Sequence, residues 1–166
     1  MSFTVGIEFE RSITTTLDTR EVYSLLADVA RSGSFFPKVE RLEGRGNGVW
    51  HWVMEKIAIG DHVLQQTFYT CQYASDPEQL TVTWKPCSED GDNAMVEGSW
   101  HITPEDGKNS RVTLRSKGTL TVEFPGFLEF LLAPLIRYEF ESMVKRYIEN
   151  LDQEFRRLGS EGAKNS

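Results

Sequence analysis

Phe3, Val5, Ile7 and Phe9 occupy alternate positions, with Thr4, Glu8 and Glu10 between them. A period of two sends apolar side chains to one face and polar ones to the other, so residues 3–16 predict a half-buried strand. The period then changes. Asp18 offers an N-cap with Glu21 three residues on, the capping-box spacing, and Val22, Leu25, Leu26 and Val29 recur at helical intervals. A short amphipathic helix to about Ala30 is expected. Ser32-Gly33-Ser34 should end it, and Phe35-Phe36-Pro37 should form a second helical turn.

From Lys38 to Glu123 strand patterns alternate with turn chemistry. Gly46-Asn47-Gly48 is a strong hairpin signal because its residues tolerate positive φ. Gly60-Asp61, Asp76-Pro77-Glu78, residues 89–93 and residues 104–109 supply the other breaks. The expected strands are 39–45, 49–59, 62–74, 80–87, 94–103 and 111–122, an antiparallel meander. Gly98 and Gly118 fall inside strands, where glycine often marks a bulge or bend.

After Pro125-Gly126 the period becomes helical as far as Leu158. Leu128, Leu132, Ile136, Phe140, Met143, Tyr147, Leu151, Phe155 and Leu158 form one apolar stripe, with charged residues on the other faces. Pro134 predicts a kink or a restart, and Gly159 predicts the end of the helix. The chain therefore divides into one domain, residues 1–159, and a polar tail, residues 160–166.

This order implies an α+β fold. A curved antiparallel sheet of about seven strands, with two short helices, grips a long C-terminal helix and leaves space between them. The order, the segment Asp18-Thr19-Arg20-Glu21-Val22-Tyr23-Ser24-Leu25-Leu26-Ala27-Asp28 and the following Phe36-Pro37-Lys38-Val39 resemble the SRPBCC superfamily. Trp84, Gly98, Trp100, Arg111-Val112-Thr113 and Tyr147-Ile148-Glu149-Asn150-Leu151 agree with that resemblance. The group includes START lipid-transfer domains, pollen-allergen-like proteins, polyketide cyclases and aromatases, and coenzyme Q-binding proteins. The resemblance spans residues 3–158 and implies a helix-grip fold around a hydrophobic cavity. Its members share a pocket rather than a catalytic motif.

Composition narrows the partners. With 18 Lys and Arg against 25 Asp and Glu, the net charge is -7 and no basic run occurs, so nucleic acid is not an expected partner. Residues 124–136 are apolar but too short and too interrupted to span a bilayer, and no secretory signal opens the chain. A cytoplasmic protein without stable membrane insertion is the expectation. Cys71 and Cys87 show no ligand spacing and are expected to be free thiols, so neither metal nor cofactor is expected.

Candidate chemistry is sparse. His51 and His101 have the opposite parity to the neighbouring tryptophans and are expected to face solvent, and His62 pairs with no ligand type at useful spacing. Lys56 follows the inward parity of Trp50, Trp52 and Met54 unless the strand is interrupted, in which case it is solvated. Arg137 is expected to be solvated and Tyr138 to pack. No serine or cysteine motif of nucleophilic catalysis is present, so no catalytic residue is assigned. Trp52, Met54, Tyr69, Trp84, Trp100, Leu132, Ile136 and Phe140 fall on predicted inner faces and are the candidate ligand-binding residues. The leading reading is a binder or carrier of a hydrophobic small molecule: a lipid, an isoprenoid quinone or an aromatic polyketide-like compound. The alternatives are a cyclase or aromatase-like enzyme using the same cavity, and a module whose concave face takes a partner helix. Oligomeric state is not legible.

Overall fold

The computed structural model describes residues 1–107 and 109–164. Strand β1 (Phe3–Thr15) leads into helices α1 (Thr19–Ala27) and α2 (Val29–Gly33). Eight strands follow: β2 (Val39–Gly46), β3 (Val49–Met54), β4 (Ile57–Ile59), β5 (His62–Gln65), β6 (Phe68–Asp76), β7 (Thr81–Pro86), β8 (Ala94–Pro104) and β9 (Ser110–Val122). A single 3-10 turn, Gly126–Leu128, then feeds helix α3 (Glu129–Lys164). Seven strands form one antiparallel sheet in the order β1-β9-β8-β7-β6-β3-β2, and β4 and β5 pair only with each other. The expected fold is the observed one.

Local chemistry explains where the boundaries fall. Asp18 caps α1 by accepting from the Arg20 N–H at 3.2 Å, as its position predicts. The next boundary differs from expectation. Asp28 accepts from the Arg31 N–H at 3.1 Å and starts a new helix at Val29, so Ser32 and Gly33 are helical while Phe35 and Phe36 lie in turns. The predicted 49–59 and 62–74 strands are each divided. Met54 N–H donates to the Thr67 carbonyl at 3.0 Å, which closes a neck and sends residues 55–66 out as the separate β4–β5 hairpin. Glu55 and Lys56 leave the strand there and are exposed, so Lys56 takes the solvated alternative.

Gly98 and Gly118 sit in unbroken register and mark no bulge. Gly98 serves a close approach instead: a Cβ there would lie 2.5 Å from the Trp84 ring and 2.4 Å from the Arg115 carbonyl oxygen.

Helix α3 does not stop at Gly159. Arg157 bridges Glu154 and Glu161 across that residue, the latter at 2.7 Å, and the helix continues to Lys164. Residues 165 and 166 of the expected tail lie outside the described residues. The helix also runs through Pro134 without restarting. The carbonyl left free by the missing proline N–H belongs to Phe130, an exposed residue in the first turn, where solvent can satisfy it.

The inner stripe of α3 fills the concavity of the sheet. Leu151 and Phe155 are fully buried, with Tyr147 beside them, against Leu25, Trp100 and Val112. Leu132, Ala133 and Ile136 bury against Phe3, Val5 and Leu120 at the other end. Met143 joins Val29, Trp52 and Met54 in a third cluster. The helix occupies the concave face, which removes the reading of that face as a seat for a partner helix. Among the described residues, no helix is long and apolar enough to cross a membrane.

Candidate functional site

Inward positions alternate along β8 and β9, and their sizes are uneven. On β9 they run Val112, Leu114, Ser116, Gly118, Leu120 and Val122; on β8, Ala94, Val96, Gly98, Trp100 and Ile102. On β9 the large residues stand at the ends and the small ones in the middle, and on β8 the small ones are Ala94 and Gly98. Because Gly98 pairs with Ser116 and Val96 with Gly118, the small positions lie side by side. A cavity of about 90 Å³ opens over Ala94, Val96, Ser116 and Gly118, faced by Phe36, Phe140 and Val144 and bordered by Met54, Thr67 and Tyr69. It lies where the three apolar clusters meet, and Tyr69 and Phe140 pack against all three.

The lining is chemically simple. Its polar atoms come from Thr67, Tyr69, Ser116 and Thr119, and it includes no charged side chain among the described residues. Trp52 stacks on Tyr69 with ring centres 5.7 Å apart and planes 9° from parallel, holding the phenol in place. The Trp52 indole N–H is in turn donated to the Tyr73 hydroxyl at 3.0 Å. Tyr69 itself makes no side-chain hydrogen bond among the described residues, and burial pushes its phenol well above the ordinary value near 10. At neutral pH it is therefore an uncharged hydroxyl, free to donate to or accept from whatever enters. Broader depressions on the outer face of the sheet, such as the one bordered by Glu8, Lys85, Glu97, Arg115 and Lys117, are open to solvent and charged.

The family comparison agrees with this geometry. The sequence profile of the family described as polyketide cyclase / dehydrase and lipid transport matches residues 6–156, and the chain belongs to that family. No curated protein matches the chain in sequence. Solved structures share the fold. A protein from Thermus thermophilus is 24% identical with a TM-score of 0.64, over 91% of this chain and 98% of that one. A START superfamily protein from Mycobacterium smegmatis is 11% identical with a TM-score of 0.65, over 91% and 98%. The Zhui aromatase/cyclase from Streptomyces sp. R1128 is 16% identical with a TM-score of 0.57, over 90% and 91%. Membership in the family supports a role in hydrophobic-ligand binding or cyclisation.

The sequence-predicted residues divide into three groups. Met54, Tyr69 and Phe140 line the cavity, and Trp52 backs onto it through Tyr69. Trp84 and Trp100 belong to the cluster around Leu151 and Phe155, while Leu132 and Ile136 belong to the one under Phe3 and Val5. Sequence reading missed Ser116, Gly118, Ala94 and Val96. Small residues at inward parity inside two long strands were the available signal, because they mark missing volume rather than missing pattern.

The remaining polar side chains partly depart from expectation. His51 has the outward parity expected but is only 8% exposed, because residues 87–93 fold back over it. His62 and His101 are exposed. Tyr138 does not pack: it is 71% exposed, in an apolar surface stripe with Phe127, Phe130, Leu131 and Leu135. Arg137 is exposed and donates to the Gly6 carbonyl at 3.1 Å. Cys71 and Cys87 are free thiols, the first buried and the second exposed.

Proposed function

We propose that this chain binds a hydrophobic small molecule, a lipid, an isoprenoid quinone or an aromatic polyketide-like compound, in the cavity between sheet and α3. The observation that carries the reading is a largely apolar, uncharged lining in which the Tyr69 phenol has no side-chain hydrogen bond among the described residues. Apolar walls favour a ligand by removing its surface from water, about 5 kcal/mol for each 200 Å² at roughly 25 cal/mol per Å². The Tyr69 hydroxyl supplies a polar contact that a carbonyl or hydroxyl can meet. Met54, Tyr69 and Phe140 make the first contacts, with Trp52 behind them. Trp84, Trp100, Leu132 and Ile136 form the walls that an expanded cavity would reach.

The ligand must enlarge the space. A volume of about 90 Å³ holds roughly three waters at about 30 Å³ each, whereas sites for drug-sized ligands run to about 300–1,000 Å³. The β4–β5 hairpin is the element suited to yield. It lies outside the main sheet, and the residues flanking its neck, Met54 and Thr67, both line the cavity. Outward movement of residues 55–66 would open that edge without breaking the seven-stranded sheet.

A cyclase reading draws on the same phenol, which could hold a polyketide carbonyl while the walls fold the chain. The lining offers no carboxylate, imidazole or amine for proton transfer among the described residues. Binding without turnover is therefore the reading the geometry favours. Native mass spectrometry of purified protein, followed by organic extraction, tests it. One apolar compound per chain is expected, returned unchanged after incubation; an empty protein that also refuses lipids, quinones and aromatic polyketides would defeat the proposal.

A further inference from the structure

We propose that the outer face of the sheet carries a divalent transition-metal site, distinct from the cavity, whose ligands are His51, Glu89 and Asp92. His51 on β3 stands directly opposite Thr70 on β6 in the strand register. Residues 87–93 cover this pair because they are stitched to β6 where β7 has left it. The Cys87 N–H donates to the Thr70 carbonyl at 2.9 Å, and the Asn93 N–H to the Phe68 carbonyl at 3.1 Å. The loop thereby brings Glu89 and Asp92 over the imidazole.

The hydrogen bonding around this group is incomplete in a way that points to a cation. Asp92 Oδ2 is fully engaged, accepting from the Thr70 hydroxyl at 2.8 Å and from the Glu89 N–H at 3.1 Å. Asp92 Oδ1 is buried, has no hydrogen-bond partner among the described residues, and belongs to a side chain only 2% exposed. It faces His51 Nδ1 at 3.5 Å, and Glu89 Oε1 approaches the same nitrogen at 3.2 Å. Thr70 Oγ1 lies 2.8 Å from it as well. One ring nitrogen thus faces three oxygens and has at most one hydrogen to give. A buried carboxylate oxygen without a partner has lost its water and gained nothing in return, so such an atom calls for a counterpart.

A metal ion resolves the mismatch. Zinc bonds of about 2.0–2.1 Å in a tetrahedron set ligand atoms about 3.3 Å apart. The spacings from His51 Nδ1 to the two carboxylate oxygens match that edge, and the three ligand atoms all lie within 4.8 Å of one another. With its proton on Nε2, His51 offers Nδ1 as a lone pair; its 2.8 Å contact with Thr70, whose one hydrogen goes to Asp92, then lengthens as the metal takes that position. The surrounding groups then hold the ligands in position: Thr70 fixes Asp92, and Arg45 grips Glu89 at 2.8 and 3.2 Å. Three protein ligands leave one coordination position for water, on the side where Glu89 is partly exposed. No sequence spacing could announce this site, because one ligand comes from a strand and two from a loop dozens of residues on.

Zinc and cobalt titrations of the purified chain test the site. Cys87 is exposed and close in sequence, so the background is Cys87→Ser, which removes binding by that thiol. One Zn²⁺ per chain should bind in this background and raise the thermal midpoint, and Co²⁺ should give visible d–d absorption. Asp92→Asn should weaken Zn²⁺ binding at least tenfold. Glu89→Gln, at a partly exposed position, should do the same without disturbing the fold. If Cys87→Ser binds no Zn²⁺, or if both substitutions leave its binding unchanged, the cluster is an ion-paired hydrogen-bond network and the proposal is overturned.

Discussion

Replacing Ser116 by Leu tests whether the cavity is real space or slack in an otherwise packed core. Ser116 points inward between Phe9 on β1 and Gly98 on β8. The substitution adds two heavy atoms, roughly 60 Å³ at about 30 Å³ for each water-sized group, against a cavity of about 90 Å³. Burying the leucine side chain is worth about 1.5–3 kcal/mol, and an imperfect rotamer costs about 0.5–1.5 kcal/mol. The Ser116 hydroxyl surrenders no hydrogen bond made by its side chain among the described residues. Stability should therefore hold or rise by up to about 2.5 kcal/mol, while the remaining space excludes a ligand. Ile136→Trp is the contrast, since Ile136 is 1% exposed among close neighbours. Overpacking there should cost about 1–3 kcal/mol or more. The assays are urea denaturation and a fluorescence titration with naphthol, whose two rings and single hydroxyl suit the lining. Ser116→Leu should weaken naphthol binding at least tenfold at undiminished stability. A loss of more than about 2 kcal/mol with binding intact would refute the reasoning.

Other measurements probe the neighbouring chemistry. Tyr69→Phe should change stability by less than about 0.5 kcal/mol, because its hydroxyl has no protein partner to lose, whereas Tyr73→Phe strands the Trp52 N–H and should cost about 1–3 kcal/mol in the same denaturation assay. A thiol reagent should modify Cys87 rapidly and Cys71 only on unfolding, since burial removes the Cys71 thiol from solvent and pushes it up to about 12. Stability should fall on the alkaline side. Cys71, Tyr69 and Tyr147 all have folded values raised above their unfolded ones, mainly by desolvation, so the folded state holds more protons than the unfolded one. Their contribution is complete below about pH 9 and is lost as pH climbs through the folded values; urea midpoints that rise across that range would contradict it.

The periodicities carried the fold a long way. Alternation at Phe3, Val5, Ile7 and Phe9, turn chemistry at Gly46-Asn47-Gly48 and the stripe from Leu132 to Phe155 all report local, repeated constraints. Boundaries set by single contacts were less legible. Asp28 recapping α2, the Met54–Thr67 neck and the Arg157 pairs across Gly159 each depend on partners that a pattern does not name. The site was legible only by halves. Large inward residues such as Trp84 and Ile136 stand out in a sequence, yet the cavity is defined by where residues are small, at Ala94, Ser116 and Gly118. His51 shows the same limit: parity gave its face correctly, but the loop that covers that face is a tertiary fact.

Intermolecular contacts in solution test the central claim most directly. With methyl-labelled protein and saturating naphthol, nuclear Overhauser effects should connect the ligand to the methyl groups of Met54, Val96, Leu120 and Val144, which line the cavity. Tyr69→Phe should reorient the bound ring without displacing it. Contacts confined to Leu131 and Leu135 on the exposed stripe of α3, or no contacts at all, would contradict an internal ligand site.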